Sequence, residues 1–291
     1  MPPTSAHHQL SGITQKADGD PDLAHTLRNR EERGAANANR AARYHGDEEY
    51  RASVLTTARA KRLVDYRYQV FKATRGNART RGLTFELTRE AVADMLETMT
   101  CSVTGMELLP EWDGKGRNPW WPSLDQIDPC GGYVASNIRV VSWAYNVMRG
   151  QLSDQTVKRY CHQLLSSSTG ADIEAGKLLL DAKVARASLS ASLLGTWRSS
   201  ARARGHEFNL SRAWLDARLS QGVCAVTGLS LTWDKIDGAF RRPLAPSADR
   251  IDVTRGYTED NVRVVCSWYN YARQDWDDDL VYRVAEAVLA S

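Results

Sequence analysis

The chain has 291 residues, of which 42% are apolar and 25% charged, and its formal net charge is +3. This composition excludes a chain that is disordered throughout, and no run of about 18 apolar residues predicts a membrane-spanning helix. The five cysteines include no CxxC pair, which excludes a disulfide framework or a zinc knuckle. With no apolar segment typical of a secretory signal, we expect a cytoplasmic protein without membrane contact.

The first 50 residues have a different composition from the rest. They carry six Lys/Arg against eight Asp/Glu and few large apolar side chains. The stretch 28–43 has helical composition but no clear apolar stripe, so it has no evident core of its own. We therefore interpret 1–50 as a mobile or partly helical tail.

A strongly basic segment follows the tail. Residues 59–81 hold eight Lys/Arg and one acid, with apolar residues interleaved near helical spacing. This pattern predicts a basic helix over about 54–80, with one face packed and the other cationic. A corresponding helix is predicted over about 178–203. The basic residues singled out as candidate phosphate contacts are Arg62, Lys72, Arg79, Arg81, Arg202 and Arg204.

The two basic helices belong to an internal duplication. ARTRGLTFELTREAVADMLETMTC at 78–101 aligns without a gap with ARARGHEFNLSRAWLDARLSQGVC at 201–224, and both continue into V-T-G. PSLDQIDPCGGYVASNIRVV at 122–141 then matches PSADRIDVTRGYTEDNVRVV at 246–265. One connecting loop differs in length, by a single residue, so the repeat is far beyond chance.

Each repeat has the same predicted elements. After the basic helix, Thr88 or Ser211 is expected to cap a second helix. C-x-V-T-G reads as a strand entering a tight turn at Gly105 or Gly228. Two alternating segments joined by a Gly-Tyr turn predict a pair of strands. An Asn-bearing helix and an amphipathic helix close the repeat.

These elements define an α+β fold class with two duplicated domains. The predicted boundaries are a tail at 1–50, a first domain at 51–165, a linker at 166–177 and a second domain at 178–291. Each half has just over a hundred residues, which is long enough for a small core.

The motif C-x-V-T-G, S-x-D-R-I-D, G-Y, N-V-R-V-V and a helical Asn resembles the HNH (His-Me finger) endonuclease family of phage type. The resemblance covers about 54–165 and 178–291. It implies a ββα-metal finger that cleaves phosphodiester bonds in double-stranded DNA with one divalent cation, Mg²⁺ or Mn²⁺. Zinc is not expected, because one matching cysteine in each repeat cannot make a four-ligand zinc site.

The resemblance also assigns roles to residues. In the second repeat Asp249 and Asn270 are the implied metal ligands, and Asn261 is the implied orienting amide. The corresponding residues of the first repeat are Asp125, Asn146 and Asn137. Alternative interpretations are a carboxylate that satisfies a turn and an asparagine that caps a loop through the backbone.

The repeats depart from the family at the general base. Where the family has a histidine, the second repeat has Arg250 and the first has Gln126. Arginine stays protonated and glutamine cannot usefully accept a proton, so neither is a base. Arg250 is instead a candidate for holding the scissile phosphate, with water activated by the metal alone.

Two hypotheses follow for the function. The first is a metal-dependent DNA endonuclease encoded by a phage or other mobile element. The second is a catalytically degenerate tandem protein that binds DNA or acts in the virion or in packaging, with the tail a candidate contact for a phage or host protein. Retention of Asp-Asn-Asn in both repeats favours the first, and loss of the histidine favours the second.

Overall fold

A computed structural model describes residues 21–64, 66–111, 117–168, 183–233 and 242–291, and these residues form the predicted α+β structure. The helices are α1 (Pro21–Gly46), α2 (Glu48–Val64), α3 (Tyr66–Arg81), α4 (Arg89–Met95), α5 (Trp143–Arg149), α6 (Asp154–Ser168), α7 (Lys183–Ala203), α8 (Arg212–Leu219), α9 (Ser267–Arg273) and α10 (Asp278–Leu289). The strands are β1 (Pro122–Gln126), β2 (Ile138–Ser142), β3 (Phe208–Asn209), β4 (Pro246–Arg250), β5 (Tyr257–Thr258) and β6 (Val262–Cys266).

The chain divides into two compact units, Met1–Val64 and Asp65–Ser291. In the first unit the described residues form α1 and α2, so the predicted tail is helical from Pro21, whereas residues 1–20 lie outside the described part. Asp47 separates the two helices and accepts a hydrogen bond from the Tyr50 amide, which caps α2. None of the described helices is long and apolar enough to cross a lipid bilayer.

From Asp65 on, the elements that the two repeats share lie in the second unit and follow the same order. Thr88 and Ser211 cap α4 and α8 through their hydroxyl groups, as predicted. The antiparallel pairs β1–β2 and β4–β6 have matching registers, with Asp125 opposite Arg139 and Asp249 opposite Arg263. Each pair leads directly into the Asn-bearing helix, α5 or α9.

The strand predicted at C-x-V-T-G is wrong, although the turn is correct. Residues 101–105 form a turn, and only single bridges flank it, such as Thr100 with Glu107. Two local bonds account for this: the Gly105 amide donates to the Cys101 carbonyl, and the Thr104 amide donates to Cys101 Sγ. Gly105 has a φ of +67°, a conformation that favours glycine.

The Gly-Tyr turns need glycine for two different reasons. Gly132 has a φ of +74°, as the predicted turn requires. At Gly256 the backbone comes close to its neighbour instead, since a Cβ there would lie 2.7 Å from the Glu207 carbonyl oxygen. The tyrosines that follow, Tyr133 and Tyr257, are both buried.

The closing helices hold the two repeats together. Helix α6 packs on α10 and α5 packs on α9, so the same two helices of each repeat meet. Contact of like with like is isologous packing, which relates the repeats by an approximate two-fold axis. The faces are apolar, and the Tyr160 and Trp268 rings lie 5.1 Å apart across them. The fully buried side chains are Val157, Cys161 and Leu164 in α6 and Val281, Val284, Ala285 and Val288 in α10.

The end of a helix overlaps the predicted linker at 166–177. Helix α6 continues to Ser168, and the Ser167 hydroxyl donates to the Thr227 carbonyl of the second repeat at 2.6 Å. Residues 169–182 lie outside the described part of the chain, as do the first residues of the basic helix predicted over 178–203. The domain boundaries at 51–165 and 178–291 therefore stay a prediction.

Candidate functional site

Each repeat contains a cleft between its basic helix, its first strand and its Asn-bearing helix. The cleft of the first repeat (the first cleft) has a volume of about 260 Å³, and that of the second repeat (the second cleft) about 620 Å³. Asp125 and Asn146 line the first, and their counterparts Asp249 and Asn270 line the second. The structure thus brings together the residues that the sequence singled out as metal ligands.

The Asp249 carboxylate is fully engaged by two arginines. Arg263 Nε donates to Asp249 Oδ2 at 2.7 Å, and Arg273 Nη1 donates to Asp249 Oδ1 at 2.9 Å. Asp249 is only 1% exposed. Opposite charges at hydrogen-bond distance offset the high cost of burying a carboxylate.

A second aspartate completes this arrangement, which we call the second ion-pair network (Asp249, Arg263, Tyr269, Arg273 and Asp278). Arg263 donates to both Asp278 oxygens at 2.6 and 2.8 Å, and Arg273 Nε donates to Oδ1 at 3.0 Å. The Tyr269 hydroxyl adds a bond of 2.6 Å. Two carboxylates and two guanidinium groups make the network electrically neutral.

The first repeat has the same arrangement, the first ion-pair network (Asp125, Arg139, Tyr145, Arg149 and Asp154). Arg139 and Arg149 bind the Asp125 oxygens at 2.9 and 2.8 Å. Arg139 also binds both Asp154 oxygens at 2.6 Å, and Tyr145 donates to Asp154 at 2.7 Å. Because each of these bonds occurs in both repeats, the ion-pair network is part of the fold that the repeats share.

The aspartates of the networks differ in acidity. Burial raises the pKa of Asp125, and the two arginines only partly offset this effect. The pKa of Asp154 is held well below its usual range, chiefly by the hydrogen bond from Arg139. Burial opposes ionisation at Asp278 as well, but hydrogen bonds from Arg263 and Tyr269 outweigh it and lower the pKa of Asp278 to about 2.

Protonation of Asp278 is therefore expected to lower the free energy of unfolding in acid. An unfolded aspartate has a pKa of about 3.9, so the contribution of Asp278 is complete above that pH and is lost as the pH falls toward about 2. Unfolding by urea between pH 5 and about 2 measures this. The Asp278→Asn variant should be less stable at neutral pH and show a shallower fall in acid.

The matched control for this prediction is Asp279→Asn. Asp279 is exposed and lies on the same turn of α10. This variant should keep the wild-type dependence of stability on pH. An Asp278→Asn variant with the wild-type slope would show that Asp278 does not carry the acid sensitivity.

The residues at the position of the absent histidine fasten the loop between the two strands. Arg250 Nη1 donates to the carbonyl oxygens of Val253 and Arg255 at 2.7 and 2.9 Å, and lies 2.8 Å from His206 Nε2. Because arginine only donates, Nε2 is the acceptor, and burial together with Arg250 lowers the pKa of His206. In the first repeat Gln126 donates to the Gly132 carbonyl at 3.0 Å.

Both motif asparagines of the second repeat form hydrogen bonds within the fold. Asn261 Nδ2 donates to the carbonyls of Asp252 and Gly256 at 3.0 and 2.9 Å, and Oδ1 accepts from the Asp252 amide, which is the bonding expected of a loop cap. Asn270 Nδ2 donates to Ser247 Oγ at 2.6 Å and ties α9 to β4. Asn137 and Asn146 make the same bonds in the first repeat.

The basic residues divide into two groups. Arg81 turns inward and donates to Gln126 Oε1 at 2.6 Å and the Pro129 carbonyl at 2.9 Å, and Arg204 donates to the Tyr257 hydroxyl at 3.1 Å. By contrast Lys72, Arg79 and Arg202 are exposed, and within the described part of the chain they form no hydrogen bond or ion pair. The side chain of Arg62 lies outside the described part.

The side chains as they lie do not fit the divalent cation that the family resemblance implies. A cation at Asp249 would meet two guanidinium groups already bonded to the same carboxylate, and both positive charges would repel it. Over the ranges that the structure describes, no group of three or more His, Cys, Asp or Glu side chains is placed to hold a metal ion.

Sequence reasoning missed the arginine and aspartate partners in both networks. Asp277 caps α10, whereas Asp278 in the first turn of the helix binds two arginines. The sequence does contain a sign of these partners: two arginines, a tyrosine and an aspartate follow the motif aspartate at the same spacing in both repeats. These residues are Arg139, Tyr145, Arg149 and Asp154, with Arg263, Tyr269, Arg273 and Asp278.

Comparison with known proteins gave no match: no protein-family model, no curated protein and no solved structure is significantly similar to the chain.

Proposed function

We propose that the protein binds double-stranded DNA through two HNH-like ββα repeats that have become non-catalytic. The observation that carries this proposal is the pairing of each motif aspartate, Asp125 and Asp249, with two arginines. A carboxylate held in this way supports the fold and is not free to bind a metal ion. The endonuclease hypothesis requires Mg²⁺ or Mn²⁺ at the same carboxylate.

The general base is the second argument against catalysis. Arg250 and Gln126, which occupy that position in the two repeats, both donate hydrogen bonds to loop carbonyls. His206 is the nearest imidazole to Arg250, but its Nε2 accepts from the arginine and so cannot take a proton from water without breaking that bond.

Support for DNA as the ligand comes from the exposed cations beside the clefts. Arg67, Lys72, Arg75 and Arg79 are exposed on α3, whose other face lines the first cleft. Arg198 and Arg202 are exposed on α7, which lines the second. Because each ion-pair network is neutral, these cations remain available for phosphate oxygens.

The proposal is tested by replacing Arg79 and Arg202 together with alanine. Each neutralised phosphate contributes about 0.9 to the slope of log affinity against log salt, so the slope of the double variant should fall by about 2. Fluorescence anisotropy of a labelled duplex over a series of salt concentrations measures both affinity and slope.

A charge-matched control is Arg159→Ala with Arg218→Ala. These arginines are exposed on α6 and α8, neither of which lines a cleft. The control should bind duplex DNA as the wild type does. Equal losses in both double variants would mean that binding depends on total charge and not on the cleft-lining helices.

The absence of catalysis is tested separately by a nicking assay on supercoiled plasmid with Mg²⁺ and with Mn²⁺. We expect no nicking by the wild type. Metal-dependent nicking that Asp249→Asn abolishes would overturn the proposal and establish the endonuclease instead.

A further inference from the structure

The second cleft includes a residue of the first repeat. Arg117 lies in the loop between α4 and β1, yet it lines the second cleft. The Trp276 indole Nε1 donates to the Arg117 carbonyl at 2.6 Å, across 159 positions of sequence. Trp276 is only 5% exposed, so the donor has a fixed position. The first repeat thus supplies part of the wall of the cleft in the second.

The packing of the repeats makes this placement stable. Arg117 reaches the second cleft because α5 packs on α9 and α6 on α10, where both closing helices bury apolar side chains. The Arg283 guanidinium lies 5.4 Å from the Trp120 ring centre, a second contact of the same loop with the second repeat. The loop is therefore held at two points, Arg117 and Trp120, while the Arg117 side chain remains exposed.

The second cleft has an excess of positive charge. Arg117, Arg204 and Arg250 line it, and none has a carboxylate partner among the described residues. Asp249 is neutralised within its network, which leaves Asp275 as the single unpaired carboxylate among the described residues of the lining. Three guanidinium groups against one carboxylate favour an anionic ligand.

The first cleft lacks this excess. Gln126 occupies the position of Arg250, and of the described lining residues outside the ion-pair network only Arg81 is basic. The second cleft is also the larger, since Ala248 and Ser267 replace Leu124 and Trp143, although Trp197 replaces Thr74. The two equivalent clefts therefore differ in both charge and size.

We propose that Arg117 of the first repeat completes a phosphate-binding site in the cleft of the second repeat. Arginine suits this role because its planar fork donates two parallel hydrogen bonds to phosphate oxygens. The inference deepens the proposed function, on which it rests: the second cleft is the principal phosphate contact, and it exists only when both repeats are packed together.

The test is duplex binding by the full chain with Arg117→Ala. Loss of one charge-assisted phosphate contact should weaken binding about tenfold and lower the salt slope by about 1, whereas Arg117→Lys should keep most of the slope. The matched control is Arg242→Ala, an exposed arginine in the corresponding loop of the second repeat that lines neither cleft. Its affinity and slope should equal those of the wild type.

A second variant tests the anchoring of Arg117 without touching its charge. Trp276→Phe keeps an aromatic ring and removes the N–H that holds the Arg117 carbonyl. It should weaken duplex binding about three- to fivefold, as expected for the loss of one neutral hydrogen bond.

Calorimetric titration with inorganic phosphate distinguishes the ligand source, because the second cleft should bind phosphate in the wild type and not in Arg117→Ala.

The outcomes separate this inference from the proposed function. Wild-type affinity and slope in Arg117→Ala, beside a reduced slope in the Arg79 and Arg202 double variant, would overturn the composite site and leave DNA binding intact. If the wild type binds no duplex but binds inorganic phosphate through Arg117, the site stands and its ligand is a free phosphate. If Arg117→Ala binds both duplex DNA and inorganic phosphate as the wild type does, the proposed site is overturned.

Discussion

Replacement of Arg273 by alanine is expected to lower the free energy of unfolding by about 3–5 kcal/mol, because it leaves a buried carboxylate without one of its two partners. Asp249 is 1% exposed, so in the intact chain its charge is balanced by arginines and not by water. The same guanidinium also donates to Asp278 Oδ1 and to the carbonyls of Arg250 and Ile251, so four acceptors lose a donor. Urea unfolding followed by circular dichroism measures the change.

The control for Arg273→Ala is Arg255→Ala. Arg255 pairs with Asp260, but the side chains are 51% and 65% exposed, so this exposed pair should contribute less than about 1 kcal/mol. Arg149→Ala, the equivalent change in the first repeat, should cost about as much as Arg273→Ala. If both buried arginines cost no more than Arg255, then the networks do not hold the aspartates as the structure indicates.

Replacement of Leu164 by alanine is expected to lower the free energy of unfolding by about 2–5 kcal/mol, since it opens a cavity at a fully buried position of α6, the helix that packs on α10. Leu164 is fully buried, as are Val157 and Cys161 on the same side of α6. Thermal and urea unfolding of the variant measure the loss. Because the packing of α6 on α10 joins the two repeats, the loss should appear in the transition of both.

The matched control is Leu289→Ala in the facing helix. Leu289 is 37% exposed, so its truncation removes little buried surface and should cost under about 1 kcal/mol. A loss in Leu164→Ala as small as that of the control would contradict a close-packed face. A first transition affecting one repeat alone would show that the repeats unfold independently.

Much of the fold could be predicted from the sequence because its signals are local. The caps at Thr88 and Ser211, the turn at Gly105 and the paired strands each depend on a few neighbouring residues. The duplication strengthened every one of them by repeating it. The strand at C-x-V-T-G failed because the segment satisfies its own backbone in a turn, which alternation of apolar residues does not reveal.

The site was harder to predict because its chemistry depends on side chains brought together by strand register. The motif marks Asp249 but not what faces it. Arg263 meets Asp249 only because β4 and β6 pair in one register, and Arg273 arrives from the following helix. A carboxylate bound by two arginines and a carboxylate that binds a metal ion have the same sequence pattern, so the motif alone does not separate them.

The isologous packing of the repeats has a further consequence. A homodimer with this interface would assemble at a rate set by protein concentration, and any substitution would appear in both of its clefts. Here the partners belong to one chain, so they associate at a high effective concentration and each cleft can diverge alone. The repeats have diverged in this way: Gln126 occupies the position equivalent to Arg250, and the cleft volumes are about 260 and 620 Å³. Two-fold symmetry has been kept where the repeats touch and given up where a ligand would bind.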